Sequence, residues 1–283
     1  MYNFPIGAIV DCFPMEVHEA IKTAAKIGAN GLQMYSTTGA NSPENLVGQK
    51  RKDLLNFVKD NGLVFSAICG DLGQGFMNRE KNPLLIEKSK RIMELAKDLE
   101  TDIVTTHIGV VPADKSLDRY KIMQEACYEL AQYADSMGSH FAIETGPETA
   151  PVLKAFLDDL GSTGVAVNLD PANLAMVTKD DPVAAVYTLQ KYIVHTHAKD
   201  GINLRPCNPE IIYHAIEHDK WDNEPSFKEV PLGQGAVDFP RYLKALEEIG
   251  YRGFLTIERE CGSDPAGDIK LAADFLRKIM QEN

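Results

Sequence analysis

The chain has 283 residues, 44% hydrophobic and 25% charged, which is enough for one large α/β domain with a substantial core. Its formal net charge of −12 argues against a nucleic-acid surface, where clustered Lys and Arg must neutralise phosphates. No apolar run approaches the length needed to cross a bilayer, and the opening "MYNFPIGAIVDCF" has no signal-peptide pattern. The five cysteines, odd in number and never in a CxxC pair, predict reduced thiols and a cytoplasmic protein.

In chain order, β-branched runs predict strands at 6–11, 31–36, 64–71, 102–109, 140–146, 165–170, 192–200 and 253–260. Between them lie amphipathic segments such as "MEVHEAIKTAAKIG" and "NPLLIEKSKRIMELAKDL", and "DIKLAADFLRKIM" closes the chain. Three helix endings, "KIGANG", "KDNGLV" and "EEIGYRG", place Gly just before a strand, as an αβ connection requires. Eight such units predict a (β/α)8 TIM barrel in a single domain spanning 1–283, with a doubly wound sheet as the competing arrangement. One connection is anomalous. Residues 201–228 form a βα loop far longer than usual, with a short helix expected at "PEIIYHAIEH". It leaves the seventh strand at the face where barrels keep their chemistry, so a lid or substrate loop is as reasonable as a surface excursion or oligomer contact.

Four consecutive strands end in groups that a core would not accept. Glu144 ends the fifth, Asp170 the sixth, His197 the seventh and Glu258 the eighth. Adjacent strands are ~4.8 Å apart, so these side chains can converge at the barrel mouth. A lone acidic residue at a strand end is usually a helix cap or a solvated turn; four together suit a divalent cation. Three carboxylates and one imidazole favour Mn²⁺ or Mg²⁺, with Co²⁺ or Zn²⁺ as further options. Strand alternation puts His195, His197 and Lys199 on one face, with His197 at ligand depth and His195 a layer lower, in the packing or hydrogen-bonded behind the ligands. Candidate substrate contacts are His107, Asn173, His195, Lys199, Arg205 and Arg259, each with a structural reading beside it: a hydrogen-bonded histidine for His107, an ion pair for the cations.

The segments "IETGPE", "VNLDPANL", "HTHAKDG" and "VPLGQGAVDFPRYLKALEEIGYRGFLTIERE" closely resemble the xylose-isomerase-like TIM-barrel family, which includes sugar phosphate isomerases and epimerases, inosose-processing enzymes, ketose 3-epimerases and endonuclease IV. Residue by residue, the family's single-metal ligands fall on Glu144, Asp170, His197 and Glu258. The resemblance also implies a homo-oligomer. Departures narrow the choice. Asn173 stands where endonuclease IV and ketose 3-epimerases carry a histidine, and Phe227 and Glu229 replace an Asp-x-His pair, so a trinuclear zinc cluster is short of ligands. His107 does match one zinc-binding histidine of endonuclease IV. Asn203 and Ala150 occupy positions where ketose 3-epimerases hold a substrate-binding Arg and Glu.

The expected activity is a metal-dependent epimerase or isomerase of a sugar, sugar phosphate or keto-sugar. A proton next to a carbonyl would leave through a metal-bound enediolate, with Glu144 and Glu258 removing and returning it. A dehydratase or lyase of a keto-inositol or keto-sugar is the alternative, with His107, His195 or Lys199 as the acid. An endonuclease IV-like phosphodiesterase and a non-catalytic binding protein stand further off. A small carbohydrate is the expected partner, with no nucleic acid and no membrane.

Overall fold

The computed structural model describes residues 1–216 and 224–282. Strand β1 (Ile6–Ile9) leads to helix α1 (Val17–Lys26), β2 (Gly31–Tyr35), α2 (Gln49–Asp60), β3 (Val64–Cys69) and α3 (Asn82–Asp98). Then come β4 (Ile103–Thr106), α4 (Asp118–Ser136), β5 (His140–Glu144), α5 (Ala150–Leu160), β6 (Val165–Leu169) and the one-turn α6 (Pro171–Asn173). A π-helical turn, Leu174–Thr178, joins α6 to α7 (Pro182–Leu189) and β7 (Ile193–Ala198). The chain ends with β8 (Asp200–Asn203), α8 (Pro209–Ile212), β9 (Phe227–Val230), α9 (Phe239–Glu248), β10 (Leu255–Ile257) and α10 (Pro265–Glu282).

Eight strands close into a parallel barrel in the order β1-β10-β7-β6-β5-β4-β3-β2, the (β/α)8 architecture that the alternation predicts. The long helices turn an apolar stripe inward: Ala20, Ile21 and Ala24 are buried on α1, and Phe239, Tyr242, Leu243 and Leu246 on α9. Pro stands in the first turn of α3, α5, α7 and α9, where its missing N–H is harmless. At the other ends Gly28, Gly62 and Gly250 hold the positive φ that turns a helix into the next strand. Among the described residues no helix is long and apolar enough to cross a membrane.

The 201–228 connection differs from the expected loop. Its roots pair as an antiparallel hairpin, with Asp200 opposite Val230 and Asn203 opposite Phe227. "DGIN" reads locally as a turn and "FKEV" is only four residues long, so neither half carries a strand signal without its partner. The helix expected over 209–218 is limited to α8, with turns as far as residue 216. Positions 217 and 218 lie outside the described residues.

Candidate metal centre

Parallel register builds the site. Glu144 sits opposite Asn168, which puts Asp170 one layer above; His197 sits opposite Thr256, which puts Glu258 one layer above. One ligand atom from each of Glu144, Asp170, His197 and Glu258 lies within 4.8 Å of the others, and all four residues are buried. Asp170 is also a helix cap: its Oδ1 accepts from the Asn173 backbone N–H at 2.8 Å, which fixes the carboxylate and leaves Oδ2 toward His197 at 3.4 Å.

Three buried carboxylates at this spacing demand positive charge nearby. Burial draws His197 down, but Glu258 and Glu144 outweigh it and hold the imidazole well above its usual range. Against the effect of burial, Lys199 and His197 keep Glu258 below the ordinary carboxylate range, and His107 and His197 do the same for Glu144. Asp170 is pushed up to about 6, chiefly by burial. Glu258 Oε2 lies 3.0 Å from His197 Nδ1 and 3.2 Å from Lys199 Nζ, yet neither contact has hydrogen-bond geometry. A buried carboxylate oxygen left without a hydrogen bond, facing three other donors, fits a cation-binding site. The oxygen-rich donor set suits a hard divalent ion.

A cavity of about 570 Å³ opens above these donors. His107, Asn173 and Lys199 line it with Glu144 and Glu258. Asn173 Nδ2 donates to Glu144 Oε1 at 3.1 Å. His107 Nδ1 is 3.0 Å from Asp71 Oδ2, its ring lies tilted against that of Tyr213 with centroids 5.4 Å apart, and its buried Nε2 points toward Glu144 Oε1, 3.7 Å away, without a hydrogen bond. Burial lowers the His107 pKa, but Glu144 and Asp71 bring it up to about 9. Lys199 Nζ is held by Glu260 at 2.7 Å and Glu258 at 3.2 Å, with Glu229 at 3.9 Å.

The other three candidate contacts are not among the cavity-lining residues. His195 lies inside the barrel, its Nδ1 2.8 Å from Asn168 Oδ1 and its Nε2 2.9 Å from Thr256 Oγ1, and burial lowers its pKa well below the usual value. Arg259 spans Asp268 at 2.8 Å and Glu229 at 2.6 Å. Arg205 donates to the Glu224 carbonyl.

Sequence reading passed over Gln33, Asp71, Asn168 and Tyr213. Asn168 Nδ2 donates to Glu144 Oε2 at 3.1 Å, which links His195 to the mouth. The signals were present for three of them. Gln33 and Asn168 are amides within apolar strands, and Asp71 ends the expected third strand as Glu144 ends the fifth. Tyr213 gave none, because only the folded loop brings it over His107.

The comparisons with known proteins agree with this architecture. Residues 21–279 match the family model described as "Xylose isomerase-like TIM barrel". The chain belongs to this family. It is 38% identical to the L-ribulose-5-phosphate 3-epimerase of Escherichia coli O17:K52:H18, over 94% of this chain and 95% of that protein. Among solved structures, a xylose isomerase domain protein from Planctomyces limnophilus superposes with a TM-score of 0.80 at 25% identity, covering 99% of this chain and 97% of that one. The probable 3-DHS dehydratase AsbF from Bacillus anthracis shares the fold, with a TM-score of 0.74 at 18% identity over 97% of this chain and 99% of its own.

Proposed function

We propose that this chain is a divalent-metal-dependent sugar epimerase or isomerase that removes and returns a proton on the carbon next to a carbonyl. The observation that carries the reading is the convergence of four buried donors under one cavity. The full-length likeness to an epimerase of a ketose phosphate supports carbohydrate as the substrate class.

Glu144, Asp170, His197 and Glu258 would hold the ion, Mn²⁺ or Mg²⁺ by donor type. Bound there, the ion would supply Lewis acidity that weakens the C–H bond between a carbonyl and its neighbouring hydroxyl. The remaining work belongs to the side chains. Glu144 and Glu258 approach from β5 and β10, with β6 and β7 between them, so one carboxylate can take the proton on one face of the substrate and the other can return it. Asn173 and Asn168 grip the two oxygens of Glu144 and fix its direction. Lys199 does the same for Glu258 through charge, and His107, oriented by Asp71, offers Nε2 to a substrate oxygen.

The test is solvent exchange. The manganese-loaded protein should incorporate one deuterium from D₂O into a keto-sugar substrate, and Glu144→Gln and Glu258→Gln should abolish incorporation with circular dichroism unchanged. Undiminished exchange in both variants removes these residues from proton transfer. A product lighter by one water moves the chain to the dehydratase reading.

A further inference from the structure

The walls of the cavity are two different surfaces. Its floor is acidic: Asp71, Glu144, Glu229, Glu258 and Glu260 line it, against Lys199, Lys228 and His107. Lys199 is already held among three of those carboxylates, and Lys228 is exposed on the rim strand β9. A dication on the four donors would offset this charge without reversing it.

The usual phosphate positions of a barrel are occupied by the protein itself. Barrels that bind phosphate use backbone N–H groups in the loops after the seventh and eighth barrel strands. After β7 those groups are aimed at Asp200: Gly233 and Gly235 donate to Oδ2 at 2.9 Å, and Gly201 and Val237 to Oδ1 at 2.9 and 3.2 Å. A side chain at Gly235 would collide with that carboxylate, which accounts for the glycine. After β10, Asp264 caps the first turn of α10 by accepting from Gly267 N–H at 3.0 Å. At both places a carboxylate already accepts from loop N–H groups of the kind that a phosphate would use.

A second part of the lining is apolar. Met176 and Val177 come from the π-helical turn, Ile212 and Tyr213 from the end of α8, and Phe227 from β9. Hydrogen bonds fasten these pieces together. Asn203 Nδ2 donates to the Met176 carbonyl at 2.6 Å, Cys207 Sγ to the Val177 carbonyl at 3.5 Å, and Arg119 on α4 pairs with Glu210 on α8. At about 570 Å³ the cavity is within the range that encloses a drug-sized ligand, which exceeds a single sugar ring.

We propose that, unlike the ketose-phosphate epimerase to which the chain is 38% identical, the site takes an uncharged sugar bearing an apolar or aromatic substituent, with its carbonyl end on the acidic floor and the substituent against Met176, Tyr213 and Phe227, and that it rejects sugar phosphates. This substrate class rests on the reading that the floor works on a carbohydrate carbonyl. An aryl group laid on the Tyr213 and Phe227 rings gains both buried area and ring contact.

The experiment uses three keto-sugars that differ at one position remote from the carbonyl: hydroxyl, phosphate ester and phenyl ether. Calorimetric titration into the manganese-loaded full chain is run beside deuterium uptake. The phenyl ether should bind at least tenfold tighter than the hydroxyl parent, and the phosphate at least tenfold weaker. In Phe227→Ala and Phe227→Leu the ratio of phenyl to parent affinity should fall at least fivefold, an internal ratio that a general loss of folded protein would not move. A phosphate that binds tighter than the parent, or a phenyl ether with no advantage, overturns the inference. The expected binding order without deuterium uptake from any of the three would uphold this substrate class and overturn the proton-transfer reading; uptake with the reversed order would do the opposite.

Discussion

Gln33 Oε1 on β2 lies 3.1 Å from His197 Nε2 on β7. An amide oxygen can only accept, so this contact keeps a proton on Nε2, and in the neutral ring that would bind an ion the Nδ1 lone pair is the one facing Glu144, Asp170 and Glu258. The amide is fixed in turn by its Nε2, which donates to Thr105 Oγ1 at 3.2 Å. Gln33→Leu should therefore weaken Mn²⁺ binding roughly 10- to 100-fold with the fold intact, whereas Gln33→Glu keeps the acceptor and most of the affinity. Competition against a fluorescent chelator measures it. Equal affinity in Gln33→Leu and the unsubstituted protein would show that the contact does not orient the ring.

Chelation should soften the molecule. An ion that binds only the folded state adds about 2.7 kcal/mol at a hundred times its Kd. For a domain of this size that is a rise in Tm of roughly 5–10 °C on adding Mn²⁺ to chelator-treated protein. The increment should vanish in Asp170→Asn combined with Glu258→Gln. Scanning calorimetry gives both numbers.

Glu148 supplies a pH signature away from the four converging donors. It is buried, accepts from Val111 N–H at 3.0 Å through Oε2, and has no hydrogen bond at Oε1; burial pushes its pKa up to about 8. The unfolded chain ionises this group near 4.5, so between pH 4.5 and 8 unfolding releases a proton and stability falls as pH rises. Glu148→Gln keeps the acceptor and removes the titration. Its stability relative to the unsubstituted protein should be level below pH 4.5 and climb through pH 8, by at most about 5 kcal/mol. Urea unfolding at pH 5 and pH 8 checks the sign.

Asp200→Ala should loosen the approach to α9. It strands the N–H groups of Gly201, Gly233, Gly235 and Val237, a loss of about 3–5 kcal/mol. Limited proteolysis should then cut between 201 and 237 faster than in the unsubstituted protein, and an unchanged digestion pattern would count against the anchoring role.

The barrel and its four converging donors were readable from the chain because both rest on local signals: period-two and period-3.6 hydrophobicity, and a charged residue closing each of four successive strands. What escaped depends on pairing between distant segments. Gln33 meets His197 across 164 positions, and the β8–β9 hairpin exists only once Phe227 has returned to Asn203. A register shift also matters: β7 carries an extra residue opposite the Val167–Asn168 step, which brings His195 level with Asn168. No composition pattern announces that offset, yet it sets the depth of the whole His195–Asn168–Glu144 chain.

The Asp200 anchor divides the molecule into parts that can change at different rates. Because the four donors lie at or just past the ends of barrel strands while Ile212, Tyr213 and Phe227 hang from a hairpin pinned at its root, a descendant could acquire a new roof by altering the hairpin alone. The chemistry proposed for the four donors could in this way be offered to a succession of differently decorated substrates, with the barrel below left untouched.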